Sequence, residues 1–233
     1  FNQVKKVGVP FKFEEVLDVE ITDEVKKIIT KNGIYEAKNI IVATGRTPKY
    51  LGLDNEKDYL GRGLSTCASC DGNFYKGEDV AVVGSGNSAL QESLYLSKIV
   101  NKVYLLHRGI NFKGDEALVD KVKNTPNIEI IDGVSVKKIN EENGKINSVT
   151  LSNENTINVK GVFIYIGYKP DTDMFKKLDI TNINGDIIVG ENFETDIGGL
   201  YAIGDCAKKG VYQLVTAASD GCIAVSDIEK ITN

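Results

Sequence analysis

At 233 residues, with 42% hydrophobic and 26% charged side chains, the sequence is that of an ordinary globular protein, long enough for one large or two modest domains. A net charge of −5, from 28 basic and 33 acidic residues with no long basic run, argues against nucleic acid or an anionic membrane as the main partner. No stretch approaches the ~18 unbroken apolar residues of a membrane-spanning helix, and four cysteines are too few for a disulfide-stapled secreted scaffold, so the cytoplasm is the expected compartment.

The opening Phe1-Asn2-Gln3-Val4-Lys5-Lys6 does not resemble a signal peptide. Beyond Pro10, Phe11-Lys12-Phe13 and Val16-Leu17-Asp18-Val19 alternate as strands do. Val25–Thr30 and Ile34–Lys38 predict two more short strands around the turn Lys31-Asn32-Gly33. The apolar run Asn39–Val42 predicts a buried parallel strand, and it ends in the small-residue turn Ala43-Thr44-Gly45, where a ligand can be faced.

From about Tyr50 the character changes. Cys67-Ala68-Ser69-Cys70 sets two thiols three positions apart, a spacing that lets them close a small ring and cycle between dithiol and disulfide. Asp71, directly behind, adds a carboxyl group able to pass protons to or from a sulfur. Asp79–Val83 predicts a strand and Ala89–Ile99 a helix, with Gly84-Ser85-Gly86-Asn87-Ser88-Ala89 as the turn between them and Lys102–His107 as the next strand. In such a turn Gly84 permits the tight bend and Gly86 the close approach of a pyrophosphate. Ala89 lets the helix pack near the strand while its N-terminus faces the phosphates. A glycine-rich turn without a ligand is the competing reading.

NAD-binding turns of this kind usually carry an acid about 20 residues on. Here that stretch is Leu106-His107-Arg108-Gly109, with Lys113 a turn later, so NADPH with its 2′-phosphate is favoured over NADH. Arg108 and Lys113 as merely solvated charges are the alternative. His107, the only histidine, reads as a strand-end structural or ribose contact rather than a base. A helix over Asp115–Lys123 and strands at Ile128–Ile131, Val134–Ile139, Ile146–Leu151, Thr156–Val159 and Gly161–Ile166 follow, with polar turns at Glu141–Lys145 and Ser152–Asn155. Gly167–Asp171 reads as a linker, Leu200–Ile203 as a strand running into Gly204-Asp205, and Gln213–Ile231 as a closing helix. Cys67 and Cys70 as half of a zinc site would need two further ligands, and Cys206 and Cys222 have no partnering histidine.

These residues, in this order, resemble the low-molecular-weight bacterial thioredoxin reductases, a two-domain branch of the pyridine nucleotide–disulfide oxidoreductases. The likeness runs nearly end to end: Ala43-Thr44-Gly45 with Tyr50-Leu51-Gly52-Leu53, the Cys67–Gly72 redox centre, the Gly84–Ala89 turn, and Gly204-Asp205 with Gln213, Thr216 and Ala217. The resemblance implies an α/β fold of two Rossmann-like three-layer nucleotide-binding domains. An FAD domain would be split over residues 1–49 and 170–233, with an NADPH domain carrying the redox pair inserted at 50–169. It implies electron flow from NADPH through FAD to Cys67–Cys70, then to thioredoxin or a thioredoxin-like protein, in a homodimer whose domains rotate to alternate dithiol access. Cys70 would face the flavin, Cys67 would attack thioredoxin and Asp71 would donate the proton. Asp205 would hold the ribityl or pyrophosphate region, and Gln213 would lie near the flavin ring.

Three departures stand out. The family's opening glycine-rich FAD turn does not precede Phe1, so an N-terminally incomplete protein is expected. One family arginine near Arg108 is absent and another is Lys113, which weakens bidentate phosphate recognition. Tyr212 stands before Gln213 where the family has arginine. The last two leave ferredoxin as the alternative electron donor.

Overall fold

The computed structural model describes residues 2–22 and 25–232. The chain forms two compact units, one from its two ends (up to Thr47 and from Lys169 onward) and one from Pro48–Tyr168. The first stretch holds helix α1 (Asn2–Lys6), strands β1 (Val16–Ile21), β2 (Lys26–Thr30) and β3 (Ile34–Ala37), then β4 (Ile40–Val42) and β5 (Arg46–Pro48). β1, β2 and β3 form an antiparallel meander in that order. Phe11-Lys12-Phe13 is not a strand. Its alternation is used differently, the two rings packing edge-on with centroids 4.7 Å apart.

The second unit contains β6 (Leu64–Ser65), α2 (Ala68–Asp71), β7 (Asp79–Val83), α3 (Asn87–Leu96), β8 (Lys102–His107), α4 (Glu116–Lys123), β9 (Ile128–Asp132), β10 (Val136–Glu142), β11 (Lys145–Leu151), β12 (Thr156–Asn158) and β13 (Gly161–Ile164). β6, β13, β7, β8 and β9 lie side by side in that order, parallel throughout. A buried parallel sheet needs cover on both faces, and the sequence supplies it by alternation. Val80 and Val82 of β7 join Val103, Leu105 and Phe163 against α3 and α4, whereas Ala81 and Val83 pack with Leu106, Val149 and Leu151 under the β10–β12 meander. The result is three layers: helices, parallel sheet, antiparallel meander.

Boundaries shift for local reasons. α3 starts at Asn87, just after Gly86, and ends at Leu96. Beyond Leu96 the bonds from Lys98 N–H to Tyr95 and from Ile99 N–H to Leu96 tighten the chain into a closing turn. β10 runs on to Glu142 because Asn143 and Gly144 both take positive φ, the two-residue hairpin turn whose twist matches the strands, and pairing continues to Lys145. Upstream, buried Glu56 accepts bonds from the Leu51 and Gly52 amides at 2.8 and 3.0 Å and fixes the bend before the unit begins in earnest.

The chain returns through β14 (Tyr168–Pro170), which pairs with β5, and finishes with β15 (Leu200–Ala202) and α5 (Leu214–Thr232). β15 lies parallel to β4, Ile40 opposite Leu200 and Val42 opposite Ala202, over a core that includes Val19, Phe175 and Ile187. Among the described residues no helix is long and apolar enough to cross a membrane.

Phe163 tests this layering, since it has no exposed surface and packs edge-on against Tyr75 with centroids 5.5 Å apart. Phe163→Ala should cost about 3–5 kcal/mol in a urea melt of the Pro48–Tyr168 unit, through lost burial and the cavity left behind. A loss under about 1 kcal/mol would show that the helical face is not a packed core.

Candidate functional site

Cys67 and Cys70 are joined as a disulfide, their Cα atoms 5.3 Å apart. Cys67 is the N-cap of α2, and its sulfur accepts from the Cys70 N–H at 3.3 Å. The backbone bond from Asp71 N–H to the Cys67 carbonyl, 3.1 Å, closes the single helical turn. The pair therefore sits on a tight corner between β6 and α2, with Cys70 exposed and Cys67 partly covered. Asp71 points back to Ser65, whose hydroxyl lies 2.7 Å from its carboxylate. Tyr75 is near enough that the Asp71 charge adds to burial in raising its hydroxyl above the ordinary phenol range.

The glycine turn lies in the same unit. Gly84 closes β7 with φ +152, and a β-carbon there would stand 2.3 Å from the Tyr165 carbonyl oxygen and 2.9 Å from the Ala89 β-carbon. No side chain fits. Gly86 is the opposite case: it precedes α3, no side chain caps that helix, and a β-carbon on it would meet nothing within 4 Å. An uncapped helix N-terminus beneath open space presents free backbone N–H donors and the positive end of the dipole, which is what a phosphate needs. Asn87 does not occupy that space. Its amide is spent on Asp115, donating to the carboxylate at 3.0 Å and accepting from the backbone N–H at 2.7 Å. Ser88 is exposed.

The loop after β8 folds back over this turn, the Lys113 N–H donating to the Ser85 carbonyl at 2.8 Å. Lys113 and Arg108 are both exposed there. His107 is only 3% exposed, its ring against Phe112 with centroids 4.4 Å apart. Its Nε2 stands 2.6 Å from Asp132 Oδ1, but the alignment is not that of a hydrogen bond, and neither ring nitrogen has a hydrogen-bond partner. The turn thus collects the two cations on its surface, while the histidine is enclosed behind them.

Two residues that sequence reasoning missed tie these parts together. Tyr165, just past β13, extends the ladder by donating from its N–H to the Val83 carbonyl at 2.8 Å. Its hydroxyl accepts from the Ala68 N–H at 2.7 Å. Burial, partly opposed by that amide, holds the hydroxyl well above the ordinary phenol range, so it stays neutral. Ser65 ends β6, where its buried hydroxyl meets Asp71 and the Cys67 backbone. The available signal was positional: both stand at carboxyl ends of strands in a parallel sheet, where ligand-facing groups gather.

In the other unit, Ala43-Thr44-Gly45 and Gly204-Asp205 leave the carboxyl ends of the paired strands β4 and β15 side by side, held by the Ile203 N–H to Val42 carbonyl bond of 2.9 Å. Buried Asp220 on α5 accepts from the Gly204 N–H at 2.9 Å and from the Lys209 ammonium at 2.6 Å. Arg46 donates to the Asp205 carbonyl at 2.8 Å, is ion-paired with buried Asp186, and stacks 3.9 Å from the centroid of the Tyr212 ring. Thr216 accepts from the Gln213 N–H at 3.1 Å, and Ala217 packs 3.6 Å from where a Gly204 β-carbon would stand. The Ala43, Thr44 and Gln213 surfaces are open. The structure therefore gathers these sequence-predicted residues at one sheet end. Of the other cysteines, Cys206 is buried and Cys222 exposed; no group of three or more potential metal ligands occurs among the described residues.

A parallel sheet with a dinucleotide-type turn and a disulfide between cysteines three positions apart defines a disulfide-handling α/β protein. The pyridine nucleotide-disulphide oxidoreductase family model matches residues 3–221, and the chain belongs to that family. Thioredoxin reductase of Bacillus subtilis (strain 168) is 36% identical over 98% of this chain and 74% of its own length. That of Buchnera aphidicola subsp. Acyrthosiphon pisum is 38% identical over 100% and 78%. The crystal structure of Lactococcus lactis thioredoxin reductase matches with a TM-score of 0.84 at 31% identity, over 97% of this chain and 77% of the other.

The two glycines should separate cleanly. Gly84→Ala should lower stability by at least about 1–3 kcal/mol, because a strained φ and a backbone clash coincide. Gly86→Ala, in open space, should stay within about 0.5 kcal/mol of the parent in the same melt. Equal losses would contradict the distinction between a packing glycine and an access glycine.

Proposed function

We propose that this chain is the redox body of an NADPH- and FAD-dependent thioredoxin-disulfide reductase. The observation that carries the reading is the Cys67–Cys70 disulfide, seated with Asp71 behind it in the same unit as the open, uncapped glycine turn. Membership of the disulphide oxidoreductase family, and relatives that are thioredoxin reductases, support it. In this reading Pro48–Tyr168 is the NADPH domain and the unit made of the two chain ends is part of the FAD domain.

NADPH fits the Pro48–Tyr168 unit: the N-terminus of α3, which no side chain caps, offers backbone N–H donors, and Arg108 and Lys113 offer exposed positive charge for a 2′-phosphate. His107, enclosed as it is, would act by shaping that loop. FAD fits the other unit at the paired strand ends. Asp205 there offers a carboxylate that accepts hydroxyl hydrogens, and Gly45 and Gly204 keep the approach free of side chains. Thr44, Gln213, Thr216 and Ala217 would line the same approach. FAD held there would supply the two-electron redox chemistry that links NADPH to the Cys67–Cys70 disulfide.

The residues of the chain then perform ordinary thiol chemistry. The Cys67 thiolate attacks the disulfide of thioredoxin, forming a mixed disulfide. Cys70 attacks the Cys67 sulfur and releases thioredoxin as a dithiol. Asp71 handles the proton of the departing sulfur. A cytoplasmic homodimer completes the proposal; the low cysteine count and the chemistry of a reducing compartment support the location.

The order of the sulfurs is directly testable. Full-length Cys70→Ser protein, reduced and mixed with thioredoxin whose single retained cysteine is activated as a thionitrobenzoate disulfide, should accumulate a covalent thioredoxin adduct; Cys67→Ser should not. The reverse pattern would exchange the two roles, and turnover surviving in both variants would sink the reading.

The donor is tested by anaerobic bleaching of flavin in the full-length protein with NADPH, NADH and reduced ferredoxin. NADPH should be preferred, and Arg108→Ala should erase most of its advantage over NADH. Bleaching by ferredoxin alone would make ferredoxin the donor.

A further inference from the structure

We infer that Ser65 is a positioning residue for proton transfer at the dithiol, acting through Asp71. The inference rests on the reading of Asp71 as the proton-handling group. Ser65 is 4% exposed at the end of β6, two residues before the first cysteine. Its hydroxyl lies 2.7 Å from Asp71 Oδ2, 3.0 Å from the Cys67 backbone nitrogen and 3.3 Å from the Cys67 carbonyl oxygen.

A serine hydroxyl has one proton to give and two lone pairs with which to accept. The Cys67 N–H can only donate, so it takes a lone pair. The single proton then has two candidate acceptors, and the nearer one, a carboxylate, forms the shorter and stronger charge-assisted bond. Ser65 therefore donates to Asp71 and accepts from Cys67. One buried oxygen fixes the acid and the backbone of the first sulfur in a single frame. The bond from Asp71 N–H to the Cys67 carbonyl, 3.1 Å, holds the main chain of the same two residues, whereas Ser65 reaches the Asp71 carboxylate oxygen itself.

The step that uses this frame balances as follows. The Cys67 thiolate, its proton released to solvent, breaks the S–S bond of thioredoxin and forms a Cys67–thioredoxin bond, and the other thioredoxin sulfur takes a proton back from solvent. Cys70 then attacks Cys67, the internal disulfide re-forms, and the bound thioredoxin sulfur departs. Asp71 takes the proton of the Cys70 thiol and returns it to that departing sulfur. Two electrons pass to thioredoxin, and the next NADPH restores them. Such relay depends on the carboxylate being held at a fixed place, since misplacement of about 1 Å can cost about 10²-fold.

The test is a double-mutant cycle in the full-length protein, reading the single-turnover rate at which the pre-reduced enzyme reduces thioredoxin. Asp71→Asn should slow that step by about 10²–10⁴-fold. Ser65→Ala should slow it by about 10- to 10²-fold with KM for thioredoxin within about twofold, and should add less than about twofold in the Asp71→Asn background. Ser65→Thr, which keeps the hydroxyl, should stay within about threefold of the parent, and it decides the matter alone if the alanine variant does not fold. Equal slowing by Ser65→Ala in both backgrounds, or equal loss in the threonine and alanine variants, would overturn the inference while leaving Asp71 in place. An Asp71→Asn variant as fast as the parent would instead overturn the underlying reading of Asp71.

Discussion

The central unit depends on an approach so close that Gly84 can carry no side chain. The Tyr165 carbonyl oxygen sits 2.3 Å from where its β-carbon would be, because β13 runs directly alongside β7 and its ladder continues one residue past the strand. That extra residue is Tyr165. From there its side chain reaches the Ala68 N–H at the start of the helix that bears Cys70. A glycine of the kind that nucleotide turns require thus also sets the position of the dithiol. Remove the close packing, and the open turn before α3 and the corner that holds the disulfide lose their common support.

The other unit is organised by a similar economy around Arg46. One guanidinium contacts the Asp205 carbonyl, buried Asp186 and the face of Tyr212. Arginine suits this place because it can hydrogen-bond in its plane while stacking on an aromatic face. Tyr212 stands where the family resemblance leads one to expect a second arginine. Its ring is instead held by the guanidinium of Arg46 and approached by the ammonium of Lys209 at 6.0 Å. Positive charge is therefore present at this strand end, brought from a different part of the chain.

Much of this was legible in the sequence, for identifiable reasons. β8 matches its predicted span because the apolar run Val103–Leu106 of a buried parallel strand is bounded by Lys102 and His107, and the cysteines, glycines and Asp71 announce themselves by spacing. The turns at Ala43-Thr44-Gly45 and Gly84-Ser85-Gly86 lie at strand ends as expected, since a buried parallel strand stops where its apolar run gives way to small residues. What was not legible depends on distant pairing. Phe11 and Phe13 alternate like a strand, but alternation alone cannot say whether a ladder forms. Arg46 meets Asp186 140 positions away, Tyr165 meets Ala68 97 positions away, and burial of the only histidine depends on the loop that carries Phe112. Ser65 was missed because a serine near a cysteine has no meaning until its hydroxyl is seen to lie 2.7 Å from the Asp71 carboxylate.

Everything proposed for this chain requires that Cys67 and Cys70 be the sulfurs that cycle. The direct measurement is anaerobic thiol mapping of the full-length protein: differential alkylation with mass spectrometry before NADPH, after NADPH, and after addition of oxidised thioredoxin. Alkylation at Cys67 and Cys70 should appear together on addition of NADPH and disappear together on addition of thioredoxin, with Cys206 and Cys222 unchanged throughout. Cys67 and Cys70 that remain disulfide-bonded under NADPH while thioredoxin is nevertheless reduced would contradict it.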